Sequence, residues 1–182
     1  MIFVNLIVIR NTEAPSNVNY VVGGRSEESL TERGIMQAKE LRKKLEQMNY
    51  DVIITSPVNR AVETAKIINY KNIPIIKDER ITERDSGDLL LKDRNLVNKS
   101  EWNSMKKLRT EDNAETLLAL VNRTNEFIEE IRKKYENETV LIVTHNSICR
   151  ALWMIKNEKE KNNEKINSFY HNSKDITVYN NY

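Results

Sequence analysis

Short apolar runs alternate with longer segments of helical spacing along this chain. Ile2–Ile9 and Val140–Val143 are almost continuously apolar, as expected of central strands that helices cover on both faces. Three further runs, Asp51–Thr55, Ile73–Ile76 and Ile176–Tyr179, are short and rich in residues that favour β-structure. The pattern therefore predicts five strands.

Helical patterns occupy the intervals between these strands. One helix is predicted to start after Ser29 and to run to about Met48, and others span about Val58–Asn69, Glu115–Tyr135 and Ser147–Ile155. In Glu115–Tyr135 the apolar residues recur three and four positions apart, which gives that helix one apolar face. Strands and helices that alternate in this order predict an α/β fold with three layers, α/β/α, around a mostly parallel central sheet.

The chain of 182 residues is long enough for one α/β domain with a substantial core. No repeat, low-complexity tract or flexible linker divides residues 1–182, so a single domain is expected. Residues 82–113 are charged and irregular in pattern, and only a short helix around Trp102–Leu108 is predicted there. We interpret residues 82–113 as a lid or specificity insertion within that domain.

The charge balance argues against two broad classes of partner. Lysine and arginine number 29 against 27 aspartates and glutamates, so the formal net charge is only +2 and no global field attracts nucleic acid or a membrane surface. The apolar run Ile2–Ile9 is too short to span a membrane. Cys149 is the single cysteine and fits a reducing compartment, so a cytoplasmic location is expected. Its apolar neighbours favour a buried packing role.

Candidate chemistry follows the predicted strands. In open α/β sheets ligands bind beyond the carboxyl ends of the strands, and these positions hold Arg10, Ser56 with Arg60, and His145. Two guanidinium groups that converge with an imidazole form a strong site for a dianion, because each planar fork can donate two charge-assisted hydrogen bonds to phosphate oxygens. A phosphate site is therefore predicted at this edge of the sheet.

Six segments, in order along nearly the whole chain, resemble motifs of the histidine phosphatase superfamily, also called phosphoglycerate mutase-like. VIRNTEAPSN resembles V-R-H-G-E-T-x-x-N, GRSEESLTERGIMQA resembles G-R-x-D-x-x-L-T-x-x-G-x-x-Q-A, and ITSPVNRAVETAKII resembles S-S-P-x-x-R-A-x-x-T-A-x-x-I. ITERDSGD is similar to L-x-E-R-x-x-G-D, AETLLALVNRTNEFIEEI to G-E-S-x-x-x-x-x-x-R-x-x-x-F, and VLIVTHNSICRAL to V-L-V-V-S-H-G-x-x-I-R-A-L. The resemblance implies a phosphoglycerate mutase-like version of the predicted fold.

The resemblance also implies roles for individual residues. In that family a first histidine attacks phosphorus, a second histidine and two arginines hold the phosphoryl oxygens, and a carboxyl group protonates the leaving oxygen, with no metal or other cofactor. Glu83 matches the proton donor, and His145 matches the second histidine. Phosphate binding is implied for Arg10, Asn17, Arg60 and His145. The implied ligand is phosphate or a small phosphorylated compound.

The motif departs from the family at the nucleophile. Asn11 stands where the family has its first histidine, and Thr12 stands where it has glycine. An amide nitrogen shares its lone pair with the carbonyl, so Asn11 cannot form a phosphoramidate, although it can donate a hydrogen bond to phosphate. Thr12 adds a β-branched side chain at the floor of the predicted site. The sequence therefore predicts a family member that binds phosphate monoesters with lost or impaired phosphatase activity.

Other functions stay open at the level of sequence. The main alternative is an active metal-independent phosphomonoesterase with an altered nucleophile arrangement. As a replacement nucleophile Thr12 has no evident base beside it, and attack by His145 would leave the phosphate short of one ligand. A third hypothesis is a scaffold that binds a partner protein and whose pocket stays empty. Mutase activity is disfavoured, because it needs a stable phosphoenzyme.

Overall fold

A five-stranded sheet lies at the centre of the protein in the computed structural model, which describes residues 3–105, 112–157 and 175–182. The strands are β1 (Asn5–Arg10), β2 (Val52–Thr55), β3 (Ile75–Lys77), β4 (Thr139–Thr144) and β5 (Ile176–Tyr179). Their order across the sheet is β3-β2-β4-β1-β5, with β5 antiparallel to β1 and all other neighbours parallel. The predicted mostly parallel sheet is confirmed.

Helices follow the strands in the order that the sequence predicts. Within the described residues the α-helices are α1 (Pro15–Val18), α2 (Glu32–Leu45), α3 (Asn59–Ile68), α4 (Lys99–Trp102), α5 (Leu117–Lys134) and α6 (Asn146–Lys156). The Thr31 side chain caps α2 by accepting a hydrogen bond from the Gly34 amide at 3.0 Å. No helix in this part of the chain is long and apolar enough to cross a membrane.

Alternate side chains of β1 face two separate apolar layers. Leu6 and Val8 pack with α5 and α6, whereas Ile7 and Ile9 pack with α2 and α3 on the opposite face of the sheet. Strand β4 alternates in the same way. Because successive side chains of a strand point to opposite faces, a sheet with apolar side chains on both faces needs a helical layer on each. The predicted three-layer α/β/α fold is confirmed.

Two short helices differ from the sequence prediction. The helix around Trp102–Leu108 is wrongly placed: residues 103–105 are not helical, and residues 106–111 lie outside the described part of the chain. Helix α4 lies just before it, because the side chain of Asn98 accepts a hydrogen bond from the Glu101 amide at 3.4 Å and so caps its start. Helix α1 was missed, although a proline at the first helical position signals it.

The described part of residues 82–113 is held against the loop that follows α1. It forms 3-10 turns at Gly87–Leu89 and Arg94–Leu96 in addition to α4. The Leu91 amide donates a hydrogen bond to the Val22 carbonyl at 2.8 Å. This segment therefore lies beside the connection between β1 and α2, which begins with predicted site residues.

Gly34 lets α2 approach the loop after β1, and this contact is testable. A Cβ at Gly34 would lie 2.1 Å from the backbone oxygen of Glu13, which cannot swing away as a side chain can. Gly34→Ala should therefore lower the free energy of unfolding by roughly 1–3 kcal/mol, although alanine is the better helix former. Urea unfolding measures this, with Lys39→Ala at an exposed site of α2 as the control. A Gly34→Ala protein as stable as the wild type would contradict the close approach.

Candidate active site

The register of the parallel strands brings four residues singled out from the sequence to one edge of the sheet. Arg10, the last residue of β1, lies opposite Thr144, the last residue of β4. The Asn11 amide then donates a hydrogen bond to the Thr144 carbonyl at 2.7 Å. Ser56 directly follows β2 and His145 directly follows β4. The ligand-binding edge predicted from sequence is therefore formed by the ends of β1, β2 and β4.

His145 is fully buried and is hydrogen-bonded through both ring nitrogens. Its Nδ1 lies 3.0 Å from Asn11 Oδ1, and its Nε2 lies 2.7 Å from Ser56 Oγ. Asn11 Nδ2 donates to the Thr12 carbonyl at 2.9 Å, which fixes the amide so that Oδ1 is the acceptor. We therefore assign the proton of neutral His145 to Nδ1, and Ser56 donates to Nε2.

The surroundings of His145 favour its neutral form. Burial, followed by the nearby charges of Arg60 and Arg10, holds the pKa of His145 well below the ordinary imidazole value of 6.5. At neutral pH the ring is uncharged and its hydrogen bonds to Asn11 and Ser56 are retained. His145 lies behind Asn11 and does not line the cavity described below.

Thr12 packs away from the cavity. It is fully buried, its amide donates to Thr64 Oγ1 at 3.1 Å, and the two threonine hydroxyls lie 3.2 Å apart. Thr64 in turn donates to the carbonyl of Arg60 at 2.8 Å. The Thr12 hydroxyl is thus engaged with α3, and it has no described base beside it, which disfavours Thr12 as a replacement nucleophile.

Arg60 enters the site from the first turn of α3. Its guanidinium donates to the carbonyls of Ser26 at 3.0 Å and Gly24 at 2.6 Å, and Glu28 lies 3.6 Å from it. Burial lowers the pKa of Arg60 from its ordinary value. Arg10 is also buried, with 8% of its surface exposed, and both arginines line the cavity. The two predicted phosphate-binding arginines therefore come together.

Glu83 lies on a loop that an ion pair holds in place. Arg123 and Glu115 form a bidentate pair at 2.6 and 2.9 Å, and Arg123 also donates to the Glu83 carbonyl at 3.3 Å. Arg25 donates to the same carbonyl at 3.0 Å. The Glu83 carboxylate accepts from the amide of Arg84 at 2.8 Å and lines the cavity. The loop position fits the predicted proton donor.

A cavity of about 640 Å³ opens at this edge of the sheet. Most of the predicted site residues line it: Arg10, Asn11, Asn17, Arg60 and Glu83. Asn17 also accepts a hydrogen bond from the Ala14 amide at 2.9 Å, which closes the first turn of α1. Five of the six predicted site residues therefore line one cavity, whereas His145 lies outside its lining and contacts it through Asn11.

Several lining residues were missed by the sequence analysis. They are Arg84, Arg94, Lys99, Trp102 and Arg150. Arg150 follows Asn146 by four positions on α6, so both side chains lie on one face of that helix. This spacing was the available signal. Arg84 carries a signal of another kind, because it matches the arginine of the motif L-x-E-R-x-x-G-D. The other three come from the part of residues 82–113 that has neither periodicity nor a motif.

Cys149 lies buried on α6, as predicted, and burial raises the pKa of its thiol to about 12. Because the thiolate is the nucleophilic form, this cysteine is a packing residue at neutral pH. Within residues 3–105, 112–157 and 175–182, no group of three or more histidine, cysteine, aspartate or glutamate side chains is placed to hold a metal ion.

The fold and the site at the strand ends belong to a known class of protein. Comparison with known proteins identifies that class. The model of the histidine phosphatase superfamily (branch 1) matches residues 6–179, and the chain belongs to that superfamily. Among its relatives, phosphoserine phosphatase 1 of Hydrogenobacter thermophilus is 34% identical over 159 residues, which cover 82% of this chain and 74% of that protein.

Solved structures have the same fold. YhfR of Bacillus stearothermophilus is similar with a TM-score of 0.84 and 29% identity, over 96% of this chain and 90% of that one. A histidine-to-alanine variant of the phosphoserine phosphatase of Entamoeba histolytica, in complex with phosphoserine, is similar with a TM-score of 0.83 over 96% of this chain and 89% of that one. The latter is 22% identical, so it shows the fold alone.

The buried neutral state of His145 predicts a pH dependence of stability. Unfolded histidine titrates near pH 6.5, whereas folded His145 titrates well below this. Below about pH 6.5 the unfolded chain binds a proton that the folded chain does not, so stability is lost as pH falls, by up to about 1.4 kcal/mol per pH unit. His145→Gln should remove this component from urea unfolding measured between about pH 7.5 and 5.5.

The control is His171→Gln at the chain's other histidine, which should retain the His145 component. Because a substitution at the fully buried His145 also perturbs packing, NMR of the wild type gives a second measurement. The His145 ring signals should not titrate over that pH range. A His145 signal that titrates near pH 6.5 would contradict the buried neutral assignment.

Proposed function

We propose that this protein binds phosphate monoesters in the cavity and has lost, or nearly lost, phosphatase turnover through a phosphohistidine. One observation carries the proposal: Arg10 and Arg60 line the cavity together with the amide of Asn11, while the single described histidine lies beneath its floor. Two buried guanidinium groups can bind a phosphate dianion by charge-assisted hydrogen bonds. An amide beside them can donate a hydrogen bond but cannot accept the phosphoryl group.

Asn11 is proposed to stand at the nucleophile position, on the strength of the V-R-H-G-E-T motif. Its Nδ2 donates one hydrogen to the Thr12 carbonyl, and Oδ1 accepts from His145. The second hydrogen on Nδ2 is available to a phosphate oxygen. In this arrangement Asn11 replaces a covalent step with a hydrogen bond.

The expected loss of rate is large. In subtilisin, removal of the nucleophile lowers turnover by about a millionfold. A loss of similar size here would leave no physiological turnover by the phosphohistidine route. Binding need not be lost with it, since the phosphate oxygens are held by other groups.

The relatives support a phosphate ester as the ligand. The Hydrogenobacter relative is a phosphoserine phosphatase, and the Entamoeba phosphoserine phosphatase was crystallised with phosphoserine after one histidine had been replaced by alanine. The 34% identity of the Hydrogenobacter relative is what supports a phosphate ester as the ligand of this chain.

A second candidate function is active phosphomonoester hydrolysis with Ser56 as the nucleophile. Ser56 Oγ, His145 and Asn11 form a continuous chain of hydrogen bonds at 2.7 and 3.0 Å, in the order of a serine, base and orienting group. However, Ser56 is fully buried, does not line the cavity, and its Oγ accepts a further bond from Val58 at 3.3 Å. Attack by Ser56 would require the site to open, so we rank this candidate second.

Phosphate binding is the first test of the proposal. Isothermal titration calorimetry with inorganic phosphate should show binding to the wild type. Arg10→Ala and Arg60→Ala should each weaken it by more than about 1 kcal/mol, or roughly fivefold. Arg42→Ala is the matched control, because Arg42 pairs with Glu46 on the exposed face of α2. Circular dichroism checks that each variant is folded. Unchanged affinity in both site variants would place the anion elsewhere.

Restoration of turnover is the second test. The double change Asn11→His with Thr12→Gly should raise hydrolysis of p-nitrophenyl phosphate above the wild type and above both single variants. Asn11→His alone should gain less, because Thr12 is fixed to Thr64 and misplacement by about 1 Å can cost a hundredfold. Initial rates with EDTA present measure this, and activity should not depend on EDTA.

The same assay separates the two candidate functions. If the wild type already hydrolyses p-nitrophenyl phosphate as fast as the double variant, and Ser56→Ala abolishes that activity, the proposal is wrong and the serine candidate replaces it. If the double variant binds phosphate and stays inactive, the loss extends beyond Asn11 and Thr12.

A further inference from the structure

One serine that lines the cavity is hydrogen-bonded to a carboxylate. Ser16 is 3% exposed, and its Oγ donates to Glu28 Oε1 at 2.5 Å. Because a carboxylate only accepts hydrogen bonds, the hydroxyl hydrogen points to Glu28 and the lone pairs of Ser16 Oγ are left for other neighbours. A hydroxyl whose proton is already directed at a base has the arrangement of an activated nucleophile.

Glu28 is held in the orientation that this pairing needs. Its Oε2 accepts from the Ser16 amide at 2.9 Å, and its Oε1 accepts from Ser26 Oγ at 3.2 Å. The Glu28 side chain is only 13% exposed, so solvent competes little for the carboxylate. The base is therefore fixed relative to the Ser16 hydroxyl by other groups, as in nucleophile–base pairs of enzymes.

Neither residue belongs to the fixed positions of the superfamily motifs. Ser16 occupies the second open position of V-R-H-G-E-T-x-x-N, and Glu28 occupies an open position of G-R-x-D-x-x-L-T. Membership of the superfamily therefore does not imply this pair. It belongs to the same cavity as Asn11, which cannot act as a nucleophile.

The pair lies next to an arginine that is proposed to hold phosphate. Arg60 Nη1 is 3.6 Å from the same Glu28 oxygen that accepts from Ser16, so one carboxylate oxygen separates the guanidinium from the hydroxyl. A phosphoryl group bound to Arg60 then lies beside Ser16, and attack on phosphorus requires a separation of about 3–3.5 Å. Gly23 also lines the cavity, and a Cβ on it would crowd Ser16 Oγ at 2.6 Å.

We infer that Ser16 is a site of self-phosphorylation, with Glu28 as its base and a phosphate ester bound at Arg10 and Arg60 as the donor. The inference rests on the phosphate site of the proposed function. A bond forms between Ser16 Oγ and phosphorus as the bond between phosphorus and the ester oxygen breaks. The Ser16 proton passes to Glu28. The ester oxygen leaves with a proton from Glu83 or, in p-nitrophenyl phosphate, as the phenolate.

The transfer is expected to stop after one phosphoryl group per chain. The product is a serine ester, which is far more stable to hydrolysis than a phosphohistidine. Arg10 and Arg60 hold its phosphate by charge-assisted hydrogen bonds. Self-phosphorylation of Ser16 is therefore compatible with the loss of turnover proposed above, and it closes the site to other phosphate ligands.

p-Nitrophenyl phosphate is the donor that tests this site. The wild type should release p-nitrophenol in a burst that approaches one equivalent per chain. The chain should gain the mass of one phosphoryl group, and this group should survive acid. The tryptic peptide of residues 11–25 contains Ser16 as its single serine, and fragmentation of that peptide should place the phosphoryl group on Ser16. Inorganic phosphate should slow the burst, because it competes for the two arginines.

Two variants and two controls assign the reaction. Ser16→Ala should abolish the burst. Glu28→Gln should slow it by about 10²- to 10⁴-fold, because it removes the base and keeps the shape of the side chain. Ser29→Ala and Glu40→Gln change exposed residues and should have no effect. Circular dichroism and calorimetry with inorganic phosphate verify that each variant is folded and binds the anion.

The outcomes separate this inference from the proposed function. If the wild type binds inorganic phosphate and Ser16 stays unmodified, the inference is wrong and the proposed function stands. If the burst persists in Ser16→Ala, the nucleophile is another residue and the assignment is overturned. If release continues far beyond one equivalent and Ser16→Ala abolishes it, Ser16 is confirmed and the proposed loss of turnover is wrong. If the wild type neither binds phosphate nor becomes modified, the phosphate site is wrong and the inference is overturned with it.

Discussion

The site of this protein depends on the register of three parallel strands. Because β1, β4 and β2 pair in parallel and end at the same level, the residues that follow them meet at one edge of the sheet. Asn11 and Ser56 are fixed to this edge by backbone hydrogen bonds to β4, at 2.7 and 3.0 Å. A shift of one residue in β1 would turn Arg10 to the opposite face of the sheet. The two helical layers specify the register, since each strand presents apolar side chains to both.

At this edge the protein has a hydrogen-bonded network at the position where the superfamily motif has its nucleophilic histidine. Asn11, His145 and Ser56 satisfy one another's hydrogen bonds. Burial, followed by the charges of the nearby arginines, lowers the pKa of the imidazole and favours its neutral form. Thr12 is fixed to α3 in the same region. A satisfied buried network is rigid. Rigidity of this kind suits a preformed binding site. Substitutions at Asn11 and Thr12 can therefore test whether these residues account for the loss of the nucleophile.

The part of the cavity lined by Arg84 and Arg150 has the opposite character. Arg84 and Arg150 are each tied on one side to α4 or its C-terminal end, through Trp102 and Asn103, and each has a donor with no described partner on the other. These residues lie between the loop that carries Glu83, α4 and α6. Arg84 and Arg150 therefore both line the cavity and contact α4 or the residue that follows it.

The sequence by itself determined the elements of the sheet, the three layers and the residues at the strand ends. Apolar periodicity is a local property of the chain, and the motifs that contain Arg10, Arg60 and His145 are recognised from the spacing of residues within one segment. Tertiary structure alone decided the strand order, the burial of His145 beneath Asn11, and the position of α4. It alone brought Arg84, Ser86 and Arg150 into one cavity, because such contacts depend on long-range packing of segments that have no periodic pattern. Hydrogen bonds between residues far apart in the chain, as between Asn11 and His145, are formed only when the strands have paired.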